Sequence, residues 1–164
     1  MISLSMILGV SNQDWPNALS LVDYAIATKG PSAMSDLESC RNHAVVIQPG
    51  ESASYWQPKP ANGHADPTLM PSNTKFGGFS MGYQTISPNG RIRAHPHREQ
   101  VELQICFSGR GHVEVNGERH ELVPGTACFL GPEVRHEIFN NGEHDLVQLL
   151  SLIHISEPTR LWSG

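Results

Sequence analysis

The chain has 164 residues, which is enough for one hydrophobic core and too few for two full domains joined by a linker. Charged residues make up only 16% of it and the formal net charge is −5, so nucleic acid is excluded as an expected partner. No run of about 18 apolar residues occurs, which excludes a membrane-spanning helix. Fifteen glycines and twelve prolines indicate many turns between short segments, and so favour an all-β fold.

Residues 1–33 differ in pattern from the rest of the chain. They show no clear amphipathic period, and their apolar start lacks the basic region and cleavage site of a convincing signal peptide. We expect residues 1–33 to be a non-native or flexible N-terminal extension, with Met34 as the true start. A real N-terminal helix or arm is the alternative.

From residue 44 onward, short runs of β-branched, aromatic or alternating residues are each closed by a turn signal, which predicts antiparallel strands. Asn116-Gly117 predicts a tight hairpin, because both central residues of a type I′ turn need positive φ. The proline-rich stretch 58–75 predicts a long loop that covers one mouth of a barrel. The predicted strands are 44–48, 52–57, 79–86, 91–95, 102–108, 112–115, 118–122, 127–130, 136–140 and 145–149.

The end of the chain looks foreign to the rest. Residues 150–160 read LSLIHISEPTR, which looks like the translation of a sequencing-library adapter in frame with the preceding gene. The sequence is therefore expected to come from assembled environmental DNA, with the native C-terminus lost after Leu149. We expect a single domain over residues 34–149 and an adapter-derived tail over residues 150–164.

Four side chains with metal-ligating chemistry fall within the predicted strands. His95 and His97 lie at i and i+2 of an extended segment, so their side chains project from one face. Glu102 follows five residues after His97, and His136 follows thirty-four residues after Glu102. Three imidazoles and one carboxylate suit Cu, Fe, Mn, Ni or Zn, whereas Ca and Mg prefer oxygen ligands. The pattern predicts a site for one divalent transition metal.

The residues around these ligands resemble the two sequence motifs of the cupin superfamily. The first motif carries two histidines, a glutamate and a glycine, and the second carries a glycine, a histidine and an asparagine. The resemblance covers residues 44–149 and implies an all-β cupin jelly-roll β-barrel, or double-stranded β-helix, with a metal near its centre. The matching positions are His95, His97, Glu102 and Gly109, and then Gly125, His136 and Asn140.

The sequence departs from the cupin motifs at two places. Four residues separate Gly90 from His95 where five are usual, and the Pro-X-Gly expected before the last histidine is replaced by Gly131-Pro132-Glu133. Both departures concern turn geometry more than ligand identity.

Strand alternation predicts two neighbours of the metal ligands. Arg93 lies two residues before His95, and Gln104 lies two residues after Glu102, so both are candidate catalytic residues. Arg93 would bind a carboxylate-bearing ligand, and Gln104 would contact a metal-bound water. The alternatives are an arginine that reaches solvent and a glutamine that satisfies a buried backbone group.

Tyr55 and Trp56 are candidate substrate-binding residues. They stand beside the predicted rigid loop, where exposed aromatic rings can stack on sugars. The alternative is that they pack against the core.

The resemblance leaves several functions open. In compact length, single motif pair and environmental origin, the chain looks like small copper-dependent cupins that oxidatively cleave cellulose. This likeness implies a metal-dependent oxidoreductase, with copper favoured and cellulose or a related polysaccharide as substrate. The alternatives are a Mn, Fe, Ni or Zn cupin that acts as a dioxygenase, lyase or isomerase on a small acid or sugar, and a non-catalytic metal- or ligand-binding cupin.

The expected partners follow from these functions. The first is a carbohydrate or small-molecule substrate. The second is another copy of the chain in a homodimer, since edge strands of a short jelly roll commonly pair. The compartment stays open and would be extracellular if cellulose is the substrate.

Overall fold

The computed structural model describes residues 38–57 and 61–154, and the expected extension over residues 1–33 lies outside them. The elements bounded within these residues are ten strands and one four-residue helix, so the all-β prediction is confirmed. Among these residues no helix has the length and apolar character needed to cross a membrane. The elements are β1 (Tyr55–Trp56), β2 (Gly63–Leu69), α1 (Pro71–Thr74), β3 (Phe79–Ile86), β4 (Arg91–His95), β5 (Gln100–Ser108), β6 (Gly111–Val115), β7 (Glu118–Leu122), β8 (Ala127–Leu130), β9 (His136–Phe139) and β10 (Leu146–His154).

Two antiparallel sheets enclose the core. One sheet has six strands in the order β1-β2-β3-β10-β5-β8, and the other has four in the order β4-β9-β6-β7. Because successive strand residues point to opposite faces, alternate residues of each strand meet between the sheets. The buried apolar cluster takes side chains from both sheets: Ile86, Cys106 and Leu146 from the first, and Ile92, Val113, Leu122 and Ile138 from the second.

The first half of the described chain differs from the sequence prediction. Residues 44–48 form no strand, and only Tyr55–Trp56 of the predicted strand 52–57 pairs with a neighbour. The stretch predicted as a loop over residues 58–75 instead contains β2 and α1. Pro67 argues against a strand in the sequence, because proline has no N–H to donate to the hydrogen bonds between strands. The structure accommodates it at a shift in register between Pro67 and Leu69.

The turns near the motifs follow the backbone demands of their residues. Asn116 and Gly117 have φ of 52° and 89° between β6 and β7, which confirms the predicted hairpin. Glu133, in the segment that departs from the cupin motif, has φ of 63°. Its N–H donates to the carbonyl of His97 at 2.7 Å. The unusual turn is therefore tied directly to one of the predicted metal ligands.

The last strand continues past Leu149, where the domain was expected to end. β10 lies between β3 and β5 and pairs with both as far as Ile153. Leu152 is almost completely buried. Residues 150–154, the beginning of the expected tail, thus supply the second half of a central strand, while residues 155–164 lie outside the described chain. The adapter-like origin of the segment stays a prediction.

A chain that ends at Leu149 is expected to be less stable than one that ends at His154 by at least about 3 kcal/mol, because it loses the burial of Leu152 and backbone pairing to two neighbours. Urea unfolding of both chains measures the difference. Leu152→Ala in the longer chain isolates the side chain and should cost about 2–5 kcal/mol. Equal stability of the two chains would contradict the placement of residues 150–154 in the sheet.

Candidate metal centre

The predicted ligands come from both sheets and meet between them. His95 ends β4 and stands opposite His136, the first residue of β9, in the four-stranded sheet. His97 follows in the segment after β4, and Glu102 projects from β5 of the six-stranded sheet. One possible ligand atom from each of these four residues lies within 4.8 Å of the others. The structure therefore brings together all four residues that the sequence predicted as ligands.

The carboxylate of Glu102 is the centre of this cluster. Its Oε2 lies 2.9 Å from Nε2 of His136 and 3.1 Å from Nε2 of His97. The ring of His95 stands 4.4 Å from that of His136, measured between centroids. Glu102, His97 and His136 are buried, and His95 is half-buried. The cluster thus has one partly open side, next to His95.

Backbone carbonyls fix the orientation of two of the imidazole rings. Nδ1 of His95 lies 2.8 Å from the carbonyl oxygen of Arg93, and Nδ1 of His136 lies 3.1 Å from that of Val134. When Nδ1 donates its proton to these carbonyls, Nε2 of each ring keeps a lone pair for a metal. This second contact is what holds a metal-ligating histidine in the correct tautomer.

This arrangement fits a bound cation. When the Nδ1–H of His136 donates a hydrogen bond to the carbonyl of Val134, the lone pair on Nε2 faces Oε2 of Glu102. Both atoms are buried and neither has a hydrogen-bond partner in the described structure. Two facing lone pairs in a buried site are costly unless a proton or a cation lies between them. A transition metal held by three imidazole nitrogens and one carboxylate oxygen would satisfy both atoms.

The ionisation of the cluster suits the same role. Burial acts to raise the pKa of Glu102, but its contacts with His136 and His97 outweigh burial and hold that pKa well below the usual range. Burial, with a smaller effect from the nearby ring of His136, lowers the pKa of His95, so its ring stays neutral over a wider pH range. An ionised carboxylate and a neutral imidazole are the forms that bind metals.

A chain of buried glutamines supports the carboxylate. Nε2 of Gln104 donates to Oε1 of Glu102 at 3.0 Å, and Nε2 of Gln148 donates to Oε1 of Gln104 at 3.3 Å. Gln104 is thus placed to orient Glu102, which leaves Oε2 of the carboxylate facing the histidines. The Oε1 atom of Gln148 is itself buried without a hydrogen-bond partner. Sequence reasoning selected Gln104 but missed Gln148, whose only signal is a polar residue inside the apolar run of β10.

The side chain of Arg93, a predicted catalytic residue, does not join the cluster. The Arg93 side chain is exposed, and this residue contributes its carbonyl to His95 instead. A shift in register between Ile92 and His95 breaks the simple alternation that had placed Arg93 in the pocket.

The two candidate substrate-binding aromatics point to opposite faces of β1. Trp56 pairs with His64, whose neighbour in β3 is the outward residue Thr85, so Trp56 lies on the outer face of the sheet. Its ring contacts His64 at 5.2 Å between centroids. Tyr55 pairs with the buried Ala65 on the inner face. The structure therefore does not place Trp56 beside the metal cluster.

Comparisons with known proteins agree with the architecture of two antiparallel sheets. A family model described as a cupin domain matches residues 82–153. The chain has a cupin fold. Comparison with curated proteins finds no significant match. The domain match and the solved structures together show this fold.

Three solved structures illustrate the shared cupin fold. A predicted oxalate decarboxylase from Thermotoga maritima is 19% identical, with a TM-score of 0.59 over 68% of this chain and 100% of its own. A sugar phosphate isomerase from Silicibacter pomeroyi is 11% identical, with a TM-score of 0.57 over 68% of this chain and 76% of its own. An oxalate oxidase is 18% identical, with a TM-score of 0.53 over 59% of this chain and 53% of its own.

Two further residues of the cupin motifs stabilise loops of the barrel. Gly109 has φ of 84°, and a side chain there would collide with the carbonyl of Asp145. The buried amide of Asn140 donates to the carbonyls of Ile86 and His144 at 2.6 and 2.8 Å. Both residues close the loops at one end of the barrel, and neither has a described contact with His95, His97 or His136.

Glu102→Gln is expected to lower metal affinity by more than about 100-fold. Replacing a residue that only orients a metal ligand already lowers affinity by about 10–100-fold, and Glu102 is itself a predicted ligand. The amide removes the negative charge and leaves one fewer anionic ligand. Metal content after dialysis against a chelator measures the change. Glu137→Gln is the matched control, because Glu137 lies on the other face of the barrel wall beside Arg91. Unchanged metal content in Glu102→Gln would refute its role as a ligand.

Gln104→Leu is expected to weaken metal binding by about 10–100-fold while all four ligands remain, because Glu102 loses the donor that orients it. Gln84→Leu is the control, since it replaces a buried amide on the same inner face that makes no described contact with Glu102. Chelator competition gives the affinity of both variants. If the two substitutions weaken binding equally, Gln104 has no specific part in orienting the carboxylate.

Proposed function

We propose that this cupin is a metal-dependent oxidoreductase that acts on a small hydroxylated molecule inside the barrel. The observation that carries the proposal is the convergence of His95, His97, Glu102 and His136 on one point between the sheets. Three imidazoles and a carboxylate are ligands that hold Cu, Fe or Mn, and such ions supply redox chemistry when coordination positions stay open. The protein's part is to hold the ligands in place and to restrict access.

The burial of the cluster favours a small substrate. His97, Glu102 and His136 are buried, and only His95 is partly open to solvent. An insoluble polymer needs a metal at the surface next to a flat aromatic area, whereas Trp56 lies on the outer face of the six-stranded sheet. A small molecule can enter where a polysaccharide chain would be blocked. This access argument supports the small-molecule alternative over copper-dependent cleavage of cellulose.

The polar groups near the ligands favour hydroxyl groups on that substrate. Gln104 and Gln148 are uncharged amides behind Glu102, and Oε1 of Gln148 is a buried acceptor without a donor. A buried acceptor is costly until a donor reaches it. Because Gln148 is fully buried behind Gln104, an ordered water would supply that donor and link the amides to a hydroxyl of a substrate bound at the metal.

Purified protein loaded separately with Cu, Mn, Fe, Ni or Zn tests the proposal. We expect one redox-active metal per chain, retained after dialysis and lost in His95→Ala, and oxygen consumption with sugars or hydroxy acids. For copper, an EPR spectrum of a type 2 centre should disappear in the same variant. Oxalate, a sugar phosphate and insoluble cellulose serve as comparison substrates.

Three results would contradict this function. Conversion of a small acid or sugar without oxygen consumption, with Zn or Ni bound, would indicate a lyase or an isomerase. Oxidised sugars released from cellulose, with a loss of binding in Trp56→Ala, would establish the polysaccharide alternative. Absence of any retained metal would overturn the proposed oxidoreductase and the metal-dependent alternatives alike.

A further inference from the structure

The outer face of the six-stranded sheet is unusually apolar for a surface in contact with water. Alternation places Glu102, Gln104 and Cys106 of β5 on the inner face, where they are buried. The residues between them point outward together with residues of β3 and β8. We call these outward side chains the outer patch: Tyr83, Leu103, Ile105, Phe107 and Phe129, which are 40%, 37%, 41%, 58% and 71% exposed.

Strand pairing makes the outer patch continuous. Leu103 stands beside Phe129 across β5 and β8. Leu149 of β10 stands between Ile105 and Tyr83, its partners in the two neighbouring strands. Tyr83 and Phe107 meet edge to face, with ring centroids 6.0 Å apart. The exposed side chains therefore form one surface, in contrast to the scattered apolar residues that any protein exposes.

The outer patch carries no charge. Every outward position of β3, β10, β5 and β8 in the described chain holds an apolar or uncharged side chain. The outer face of the four-stranded sheet is different. There Arg91 lies 3.3 Å from Glu137, and Glu114 pairs with Arg119 across β6 and β7. On the six-stranded sheet, β2 places Asp66 beside Tyr83 at the rim of the outer patch, 3.3 Å from His64. The described outward positions of β3, β10, β5 and β8 have no charged side chain of this kind, so the centre of this face is apolar.

The size of the outer patch approaches that of a protein interface. A large apolar or aromatic side chain has about 200 Å² to bury, so the exposed fractions of these five side chains leave about 500 Å². This is near the upper end for the largest apolar patch of a monomer. A standard interface buries about 800 Å² per partner. Neighbouring half-exposed residues such as Met81 and Leu149 can supply the area that the five side chains do not.

We propose that a second copy of this chain covers the outer patch, so that two six-stranded sheets pack face to face in a homodimer. A two-fold contact brings the same surface of each copy together, and an uncharged surface meets itself without like-charge repulsion. Carbohydrate fits less well, because Tyr83 and Phe107 are nearly perpendicular, at 82°, and form no flat platform. The aliphatic centre of the outer patch also suits sheet-on-sheet packing.

Sedimentation analysis of the full chain over a range of concentrations tests this dimer. We expect twice the monomer mass of 18.0 kDa for the parent protein, with dissociation on dilution. Ile105→Glu and Phe129→Glu should each raise the dissociation constant of the dimer at least tenfold. Each substitution buries a carboxylate opposite the same carboxylate of the second copy. Glu121→Lys, at an exposed position of β7, is the matched control and should leave the mass unchanged.

Circular dichroism and metal content of the same variants separate loss of the interface from loss of the fold. Both should match the parent, since the substituted side chains point away from the metal cluster. A parent protein that stays monomeric at all concentrations would overturn the proposal. So would a dimer that both outer-patch variants preserve, or binding of cellulose by the parent that Phe129→Glu abolishes while the parent remains monomeric.

Discussion

The contact between the Glu102 carboxylate and the imidazoles of His97 and His136 joins the two halves of the molecule. The carboxylate comes from the six-stranded sheet, and the histidines come from the four-stranded sheet or the segment beside it. Charged and polar groups buried at this depth are tolerated only when they satisfy one another or a bound ion. The spacing of the two sheets is therefore tied to the chemistry of the site.

The same constraint accounts for the uneven character of the six-stranded sheet. Its inner face must hold Glu102 and the amides that orient it, so polar residues occupy positions that normally build a core. Part of its apolar surface lies instead on the outer face. A sheet that exposes apolar side chains on its outer face can lower its free energy by covering that face. The candidate metal centre and the proposed interface thus lie on opposite faces of one sheet.

Several parts of the structure followed directly from sequence patterns. Strong alternation and turn residues gave the correct bounds of strands such as 79–86 and 118–122, and Asn116-Gly117 gave the hairpin between β6 and β7. The early strands were less predictable, because proline in β2 hides its pairing and residues 44–48 have β-type side chains without a partner strand. Pairing depends on which strand lies alongside, and local composition does not contain that information.

The sequence by itself determined the all-β class and the four residues that converge at the candidate metal centre, because ligand chemistry and the two-residue period of strands are local properties. Only the tertiary structure decided how their neighbours are used. A local shift in register turned Arg93 outward, the pairing of β1 put Trp56 on the outer face, and the path of β10 brought Gln148 to Gln104. Each of these outcomes depends on contacts between residues far apart in the chain, which only the packed sheets bring together.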